Sequence, residues 1–292
     1  MRDALVEDVV RPDGELLTEI DGVLVRAYGG ASRRARIERF LNVEGAGWVM
    51  VRRAGRVVSV GAWIGYPTGG FGWIGLVATE PHAQGGGLGR VITEALIERL
   101  RGMGCAAVLD GSPSGAPLYE RMGFSDFGLS HALAAPAQIV LPTSAALASR
   151  LKGVQVVPIV GEVTETVLSF DKRSFGADRG SLLSYLLKAS PGRCVAALSE
   201  AGLIGYGVAQ DDLIGPVVAD SAIALQAIVQ SLHSLDFGST PSLLVPPECA
   251  FLPALMELGF TSTRTLRRQH LGIRDLPGVR GRLCAQASFG EG

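Results

Sequence analysis

The chain has 292 residues, of which 47% are hydrophobic and 19% charged, and its formal net charge is −1 at pH 7. This length suits two domains of ordinary size, and the hydrophobic content is sufficient for packed cores. The charge is balanced and no basic run is interleaved with aromatic residues, which argues against a nucleic-acid-binding protein. No apolar run approaches the ~20 residues that span a bilayer, so we expect no membrane partner.

The reactive side chains are scattered along the sequence. The cysteines are far apart with no Cys-x-x-Cys pair, as in a reducing compartment, at Cys105, Cys194, Cys249 and Cys284. The histidines are equally dispersed, so we expect no metal site. The N-terminal residues include acids where a signal peptide would carry none, and we therefore expect a cytoplasmic protein.

The first forty residues give a weak pattern followed by a clear one. Residues 1–20 are charged and weakly patterned, which is typical of a strand or an extended lead-in. Ser32 is placed to cap a helix over 33–41. Residues 48–51 and 57–64 are apolar and rich in valine, and the turn residues between them predict a hairpin of two strands.

A glycine-rich stretch then joins a strand over 73–78 to a helix with apolar residues at three-and-four spacing. The stretch is Gln84-Gly85-Gly86-Gly87-Leu88-Gly89-Arg90. The first N–H groups of a helix have no partner within the helix, and the helix dipole places positive charge there. Because glycine lets the backbone approach a ligand closely, this stretch predicts a phosphate or pyrophosphate site.

Two common phosphate motifs do not fit this stretch. The chain has no Gly-Lys-Ser or Gly-Lys-Thr, which a nucleoside-triphosphate P-loop requires. Gly70 to Gly75 matches the dinucleotide fingerprint by letter, but it leads into a strand and not into a helix. What remains is Gln-x-x-Gly-x-Gly at Gln84, Gly87 and Gly89.

This motif resembles the coenzyme A loop of the GNAT superfamily of N-acetyltransferases, and the resemblance covers roughly residues 35–130. The loop is followed by a strand over 106–110 and by Gly115-Ala116-Pro117-Leu118-Tyr119-Glu120-Arg121-Met122-Gly123-Phe124, which is similar to the family's final helix. The resemblance implies an α+β fold with a mixed, mostly antiparallel central sheet flanked by helices.

The resemblance also implies roles for individual residues. The loop residues Gln84 to Arg90 would bind the pyrophosphate of acetyl-CoA, and backbone N–H groups of Val77, Ala78 or Thr79 would bind the thioester carbonyl. Tyr119 has the family's position for the acid that protonates the thiolate. Glu80, Asp110 and His82 are candidates for the base that deprotonates the amine, and Glu80 is the one we assign as catalytic.

The second half repeats the order of the first. Strands are predicted over 194–198, 203–209, 212–219 and 243–245, and helices over 170–188, 221–235 and 251–258. The last of these helices ends in Gly259-Phe260, which is similar to Gly123-Phe124. We therefore predict two GNAT-like domains in tandem, over 1–135 and 151–292, joined by a linker over 136–150 that is rich in alanine and serine, with a short helix at 145–150.

The second domain differs where the glycine loop would be, because it has Asp220-Ser221-Ala222-Ile223-Ala224 there. We therefore predict that this domain does not bind the coenzyme and that it forms or covers the acceptor site. A C-terminal domain of this kind that contains the stretch Phe175-Gly176-Ala177-Asp178-Arg179 is similar to that of a bacterial tandem acetyltransferase family, which the chain resembles over most of its length. Asp178 and Arg179 are predicted to bind the acceptor's ammonium and carboxylate, with bracing of the following helix as the alternative.

The sequence thus predicts an acetyl-CoA-dependent N-acetyltransferase that transfers an acetyl group directly to a small-molecule or amino-acid-like amine. A non-catalytic acyl-CoA sensor and an enzyme for longer acyl groups are alternatives. We expect a bacterial monomer or homodimer with no metal and no nucleic-acid partner.

Overall fold

The computed structural model describes residues 5–139 and 153–292 of the chain. Its strands are β1 Val6–Asp8, β2 Ala46–Arg53, β3 Arg56–Tyr66, β4 Phe71–Thr79, β5 Ala106–Gly111, β6 Ser125–Ala134, β7 Gln155–Pro158, β8 Cys194–Ser199, β9 Gly202–Ala209, β10 Ile214–Ala219, β11 Ser242–Val245, β12 Thr261–Leu271 and β13 Leu283–Ala285. Its α-helices are α1 Gly14–Tyr28, α2 Arg34–Asn42, α3 Leu88–Gly102, α4 Ala116–Arg121, α5 Glu162–Phe175, α6 Gly180–Ala189, α7 Ala222–His233 and α8 Leu252–Glu257.

The predicted linker over 136–150 lies mostly outside the described residues, as does the short helix expected at 145–150. The domain limits at 135 and 151 therefore stay predictions.

Helix α1 is the largest difference from the predicted elements of the first half, where the sequence indicated only a strand or a lead-in. Asp13 begins this helix, because its side-chain Oδ1 accepts a hydrogen bond from the Leu16 N–H at 2.8 Å. The buried residues Leu17, Ile20 and Leu24 recur at three-and-four spacing and pack onto the sheet. This helix ends at Tyr28, which it brings to the edge of the candidate site.

In the second half the predicted helix over 170–188 is two helices, α5 and α6. Gly176 separates them with a φ of 83°, a conformation that favours glycine. The position also has no room for a side chain, because a Cβ atom on Gly176 would lie 2.1 Å from the carbonyl oxygen of Pro277.

The strands form an eight-stranded sheet in the order β1-β2-β3-β4-β5-β12-β6-β11 and a five-stranded sheet in the order β13-β10-β9-β8-β7. Neighbouring strands pair in antiparallel fashion except for β4 and β5, which are parallel. Mixed, mostly antiparallel sheets with helices against their faces confirm the predicted fold class.

The two halves of the chain exchange strands, which the sequence did not predict. β12 belongs to the second half but lies between β5 and β6 of the first half, with Arg268 opposite both Asp110 and Gly128. β6 in turn pairs with β11 of the second half, where His131 lies opposite Val245. Each half therefore completes the hydrogen-bond ladder of the other.

The halves also share a hydrophobic core on the face of the large sheet that α1 and α2 cover. Phe175 of α5 packs between aromatic residues of the first half, with ring centroids 4.9 Å from Tyr66, 5.4 Å from Phe71 and 5.9 Å from Trp73. Helix α3 covers the opposite face through buried Ile92 and Leu96.

Candidate active site

Strands β4 and β5 diverge part-way along their length. They pair from Phe71, opposite Ala106, to Ile74, opposite Leu109, and the described chain shows no β4–β5 pairing beyond that point. Leu76 has a φ of 54°, and the register between β3 and β4 shifts at the same place. β4 therefore bulges away from β5, which opens a gap between residues 75–79 and the end of β5. We call this gap the wedge.

The predicted carbonyl-binding residues Val77, Ala78 and Thr79 all lie on the bulged part of β4. Their own carbonyl oxygens each accept a side-chain hydrogen bond, from Tyr28 (2.5 Å), Ser59 (2.9 Å) and Gln84 (3.1 Å) respectively. These bonds stabilise the bulged conformation of the strand, so the backbone at the wedge is ordered before a ligand binds.

The glycine loop lies directly after the wedge. Gly85 and Gly87 have φ values of 75° and 79°, and a Cβ atom on either would meet nothing within 4 Å. Gly87 precedes the first residue of α3, and no side chain caps the helix there. The loop thus presents an uncapped helix N-terminus to open space, which is the arrangement that binds a phosphate group.

The remaining loop residues have different surroundings. Leu88 is buried in the core under α3, so it can contribute only its backbone to a ligand. Arg90 is exposed and pairs with Glu94 at 2.8 Å. Gly86 lies beside Arg53 at the end of β2, whose Nη2 would be 3.7 Å from a Cβ on this glycine. Arg53 is a candidate phosphate ligand that sequence analysis missed, because its approach to the loop is tertiary.

Tyr119 lies on α4 with 9% of its surface exposed. Its ring packs against Phe124 at 5.9 Å between centroids, and it lies above Gly111 and Gly115, where Cβ atoms would come within 3.2 and 3.4 Å of it. Burial raises the pKa of Tyr119 to about 12, so the phenol is protonated at neutral pH. Among the described residues its hydroxyl has no hydrogen-bond partner and can donate to a ligand.

Tyr28 is a second tyrosine at the wedge, and sequence analysis missed it together with α1. Its hydroxyl donates to the Val77 carbonyl at 2.5 Å, while 47% of the residue's surface stays exposed. The pKa of Tyr28 is raised because the hydroxyl end is withdrawn from water and because Tyr119 is near. The two phenols therefore flank the wedge.

Glu80, which we assigned as the general base, lies beside the wedge but has a different partner. Only 5% of its surface is exposed, and both carboxylate oxygens accept hydrogen bonds from Arg26 of α1, at 2.5 to 3.0 Å. Protonation of Glu80 would neutralise the charge that this pair depends on. The geometry therefore argues against Glu80 as the base and favours a role in fixing α1 against β4.

The other two candidate bases are no better placed. Asp110 is fully buried through its side chain and receives two hydrogen bonds from Arg268, at 2.9 and 3.0 Å, and one from Ser130. His82 is exposed on the one-turn helix between β4 and the glycine loop. A base supplied by the protein is therefore not evident among the predicted residues.

Asp178 and Arg179 do not lie at the wedge, which corrects their assignment as acceptor-binding residues. Asp178 pairs with Lys172 at 3.0 Å and accepts from the Gly180 N–H at the start of α6. Its own N–H donates to Thr68, which precedes β4, whereas the wedge lies at the strand's other end. Asp178 therefore braces α6, the alternative that the sequence left open.

Arg179 is buried, and each of its three guanidinium nitrogens donates at least one hydrogen bond. It donates to both carboxylate oxygens of Asp171, at 2.8 and 2.9 Å, to the Gly292 carbonyl at 2.9 Å and to the Tyr206 hydroxyl. Its Cζ atom also lies 4.0 Å from the centroid of the Phe175 ring. These contacts lie within the second half and hold the guanidinium away from solvent, which argues against a direct contact between Arg179 and an acceptor.

Two family models match the chain. One is described as the acetyltransferase (GNAT) family and matches residues 15–124, and the other as the acetyltransferase (GNAT) domain and matches residues 167–285. The chain is a tandem member of the GNAT acetyltransferase family. The resemblance seen in the loop and tyrosine helix is thereby confirmed, and so is the prediction of two GNAT domains.

Relatives of this GNAT protein include an uncharacterized N-acetyltransferase, YitH, of Bacillus subtilis (strain 168), 28% identical over 192 residues. That match covers 64% of this chain and 65% of the relative, so the chain spans less than two thirds of its length. A second is an IAA acetyltransferase of Azospirillum brasilense, 29% identical over 118 residues, which covers 39% of this chain and 77% of that one.

Among solved structures, a candidate acetyltransferase from Pyrococcus horikoshii has a TM-score of 0.82 at 19% identity, covering 100% of this chain and 97% of that one. A tandem GNAT protein from the clavulanic acid biosynthesis pathway has a TM-score of 0.58 at 15% identity, covering 93% and 99%. At these identities the likeness shows the shared fold. Within the described residues, no helix combines the length and hydrophobicity needed to cross a membrane, and no group of potential metal ligands is present.

Proposed function

We propose that this protein is an acetyl-CoA-dependent N-acetyltransferase that acetylates a small-molecule amine by direct transfer at the wedge of its first half. The observation that carries this proposal is the combination of a bulged β4, an uncapped α3 N-terminus after it and Tyr119 beside both. Acetyl-CoA, when bound, supplies the acetyl group as a thioester.

The chain's residues fit this cosubstrate. Backbone N–H groups of the glycine loop would hold the pyrophosphate, and open space at Gly85 and Gly87 leaves room for it. Backbone N–H groups of the bulged segment would donate to the thioester oxygen, where negative charge develops during acyl transfer. Arg53 would add a positive charge beside the loop.

Tyr119 would hold the proton that the departing sulfur needs. The buried Tyr119 stays protonated at neutral pH because its pKa is about 12, so its proton is available to the sulfur as the carbon–sulfur bond breaks. Since a thiol has a reference pKa of ~8.5, this transfer is uphill by itself and is completed by reprotonation of Tyr119. In the overall reaction the nitrogen–carbon bond forms, the carbon–sulfur bond breaks, the amine proton leaves to water and Tyr119 regains its proton from solvent.

Direct transfer is favoured over an acyl-enzyme intermediate. The cysteine nearest the wedge strands in sequence is Cys105, which is buried just before β5, at the closed end where β4 and β5 are paired. Burial raises the pKa of this thiol, which disfavours the thiolate that a nucleophile requires.

The test is a screen of primary amines, including amino acids, amino sugars, polyamines and arylamines, with acetyl-CoA as donor. Released thiol is measured by absorbance and the acetylated product by mass spectrometry. We expect turnover of at least one amine by the wild type and its loss in Tyr119→Phe. Binding of acetyl-CoA by calorimetry without turnover of any amine would favour the alternative, an acyl-CoA-binding regulatory module.

A further inference from the structure

Two arginines, one from each half of the chain, stack on aromatic residues near the bulged part of β4. Arg33 follows α1, and its Cζ atom is 5.3 Å from the ring centroid of Tyr28, whose hydroxyl binds the Val77 carbonyl. Arg264 is on β12, and its Cζ atom is 5.5 Å from the ring centroid of Phe289. Each arginine thus stacks on an aromatic residue that is itself anchored near β4.

The anchoring of Phe289 comes from its neighbour and from the second half. Gly290 packs so closely on Gly75 of β4 that a Cβ atom on Gly75 would be 2.4 Å from its Cα. The Phe289 ring packs against Leu213 and Leu244. Arg264 is therefore tied to the start of the bulge in β4, and Arg33 to its middle.

Neither guanidinium has a carboxylate partner within the described residues. Arg33 donates only to the backbone carbonyls of Gly29, at 3.0 Å, and Ala31, at 3.2 Å, and the structure gives Arg264 no ion pair. Their neighbours differ, because they are paired: Arg26 with Glu80 (2.5 Å), Arg36 with Asp212 (3.5 Å) and Arg39 with Glu291 (2.9 Å).

The two unpaired charges are close enough to act on each other. Burial and the charge of Arg36 are the main causes that lower the pKa of Arg33, Tyr28 and Asp21 oppose them, and the charge of Arg264 adds a smaller lowering effect. A pair of like charges with no counter-ion costs folding free energy, and an anionic ligand would offset that cost.

We propose that Arg33 and Arg264 form an anion subsite, and that the acceptor is therefore an amine that also carries a carboxylate or a phosphate group. Arginine binds both groups through paired hydrogen bonds. This inference rests on the proposed function, since it names the class of amine that the wedge acetylates. It also gives the second half a part in acceptor binding, through Arg264 and Phe289.

The test compares amines in matched pairs that differ in the anionic group alone. The pairs are β-alanine and its methyl ester, phosphoethanolamine and ethanolamine, and glucosamine 6-phosphate and glucosamine. Acetylation of each is measured with acetyl-CoA, and binding of each to the CoA-saturated protein is measured by calorimetry. We expect the anionic member of at least one pair to be favoured in both measurements by about 10- to 100-fold. The β-alanine pair tests for recognition of a carboxylate, and the other two pairs test for recognition of a phosphate.

Three variants locate the effect. Arg33→Gln and Arg264→Gln should each raise the acceptor's KM by at least about tenfold, remove the preference within the pair and leave the KM for acetyl-CoA unchanged. Arg56→Gln, which removes an exposed arginine from the β2–β3 hairpin, is the matched control and should change neither value. If a variant does not fold, the comparison of the matched amines with the wild-type protein still tests the proposal.

Two outcomes would overturn the subsite, and a third would refute the proposed function instead. Equal or better binding of the neutral partner in every pair would overturn the subsite while leaving the proposed function intact. A raised KM for acetyl-CoA in both arginine variants would assign the pair to the coenzyme's phosphates. Failure of the enzyme to acetylate any amine would refute the proposed function, and the calorimetric arm would still decide whether the anion binds.

Discussion

Strand β4 of the first half and β10 of the second occupy equivalent places, yet only β4 has an open wedge beside it. β10 pairs with β9 on one side and with β13 on the other, where Val217 lies opposite Ala285 and Val218 opposite Leu283. The chain's own strand therefore fills the gap that a coenzyme would need. This geometry supports the prediction that only the first half binds the coenzyme.

The helices that follow β4 and β10 differ in whether a side chain caps the N-terminus. α3 begins after Gly87 with no side-chain cap, whereas α7 begins after Ser221, whose hydroxyl accepts a hydrogen bond from the Ala224 N–H at 3.3 Å. Tyr119 of α4 lies four residues before Gly123. The matching position of α8, four residues before Gly259, is Leu255, whose side chain is fully buried. In the second half, internal contacts therefore lie where the first half has the uncapped helix, the wedge and Tyr119.

On this geometry the candidate coenzyme site lies in the first half, and the equivalent region of the second half is filled by its own residues. The second half contributes β12 to the large sheet and Phe175 to the core that it shares with the first half. If this division is correct, changes at the glycine loop and the wedge should affect coenzyme binding or turnover, and changes to buried residues of the second half should affect folding. Arg264 is the exception, because we place it in the proposed anion subsite.

The largest effect should come from separating the halves. Residues 1–139 alone should not form a cooperatively folded protein, because β5 and β6 would lose β12 from between them and expose unpaired edges. Co-expression with residues 153–292 should restore a folded complex, as judged by circular dichroism and size-exclusion chromatography. The control is a full chain with a protease site placed within 140–152, which should stay assembled after cleavage. A monomeric 1–139 fragment with a sharp unfolding transition would contradict the exchanged sheet.

Tyr119→Phe should lower kcat by about 10²- to 10⁴-fold, the range typical of a lost general acid. The affinity for acetyl-CoA should remain nearly unchanged, because the phenylalanine ring keeps the packing on Phe124. Tyr185→Phe on α6 is the matched control and should retain full turnover. Because the pKa of Tyr119 is about 12, its ionisation should not reduce the wild-type rate between pH 6 and pH 10. Normal turnover in Tyr119→Phe would leave the residue a packing role only.

Gly87→Val should weaken acetyl-CoA binding by at least about 100-fold, because a side chain there fills the space beside the α3 N-terminus and displaces hydrogen bonds to a charged phosphate. Calorimetry of the wild type should give one site per chain. Gly55→Val is a matched control, since Gly55 has the same φ of 79° and the same open surroundings in the β2–β3 hairpin. Two equivalent sites per chain would refute the division between the halves.

Arg179→Met should lower the free energy of unfolding by about 3–5 kcal/mol, because Asp171 would be left charged and buried. Asp178→Asn should change it by less than about 1 kcal/mol, since the exposed pair with Lys172 contributes little. Urea denaturation followed by fluorescence measures both. The acceptor's KM should not rise in either variant at a temperature where it is folded, and a selective rise would return these residues to the acceptor site.

The sequence by itself determined the glycine loop, the tyrosine helix and the repeated order of strands and helices. Each of these depends on local chemistry: positive φ at Gly85 and Gly87, apolar residues at helical spacing in α3, and the short distance from Tyr119 to Gly123. Such signals lie within a few turns of chain, so no knowledge of distant partners is needed to identify them. Helix α1 was the exception, although Asp13 and the spacing of Leu17, Ile20 and Leu24 carried its signal.

The tertiary structure decided everything that depends on which distant residue is the partner. Glu80 is paired because α1 brings Arg26 to it across 54 positions, and Arg179 is buried because Asp171 and the Gly292 carbonyl converge on it. The tertiary structure likewise determines which strands β6 and β12 pair with, and that β13 pairs with the edge of β10. Backbone hydrogen bonds are alike in every strand, so the sequence of one strand does not specify its neighbour, and the packing of the whole chain makes that selection.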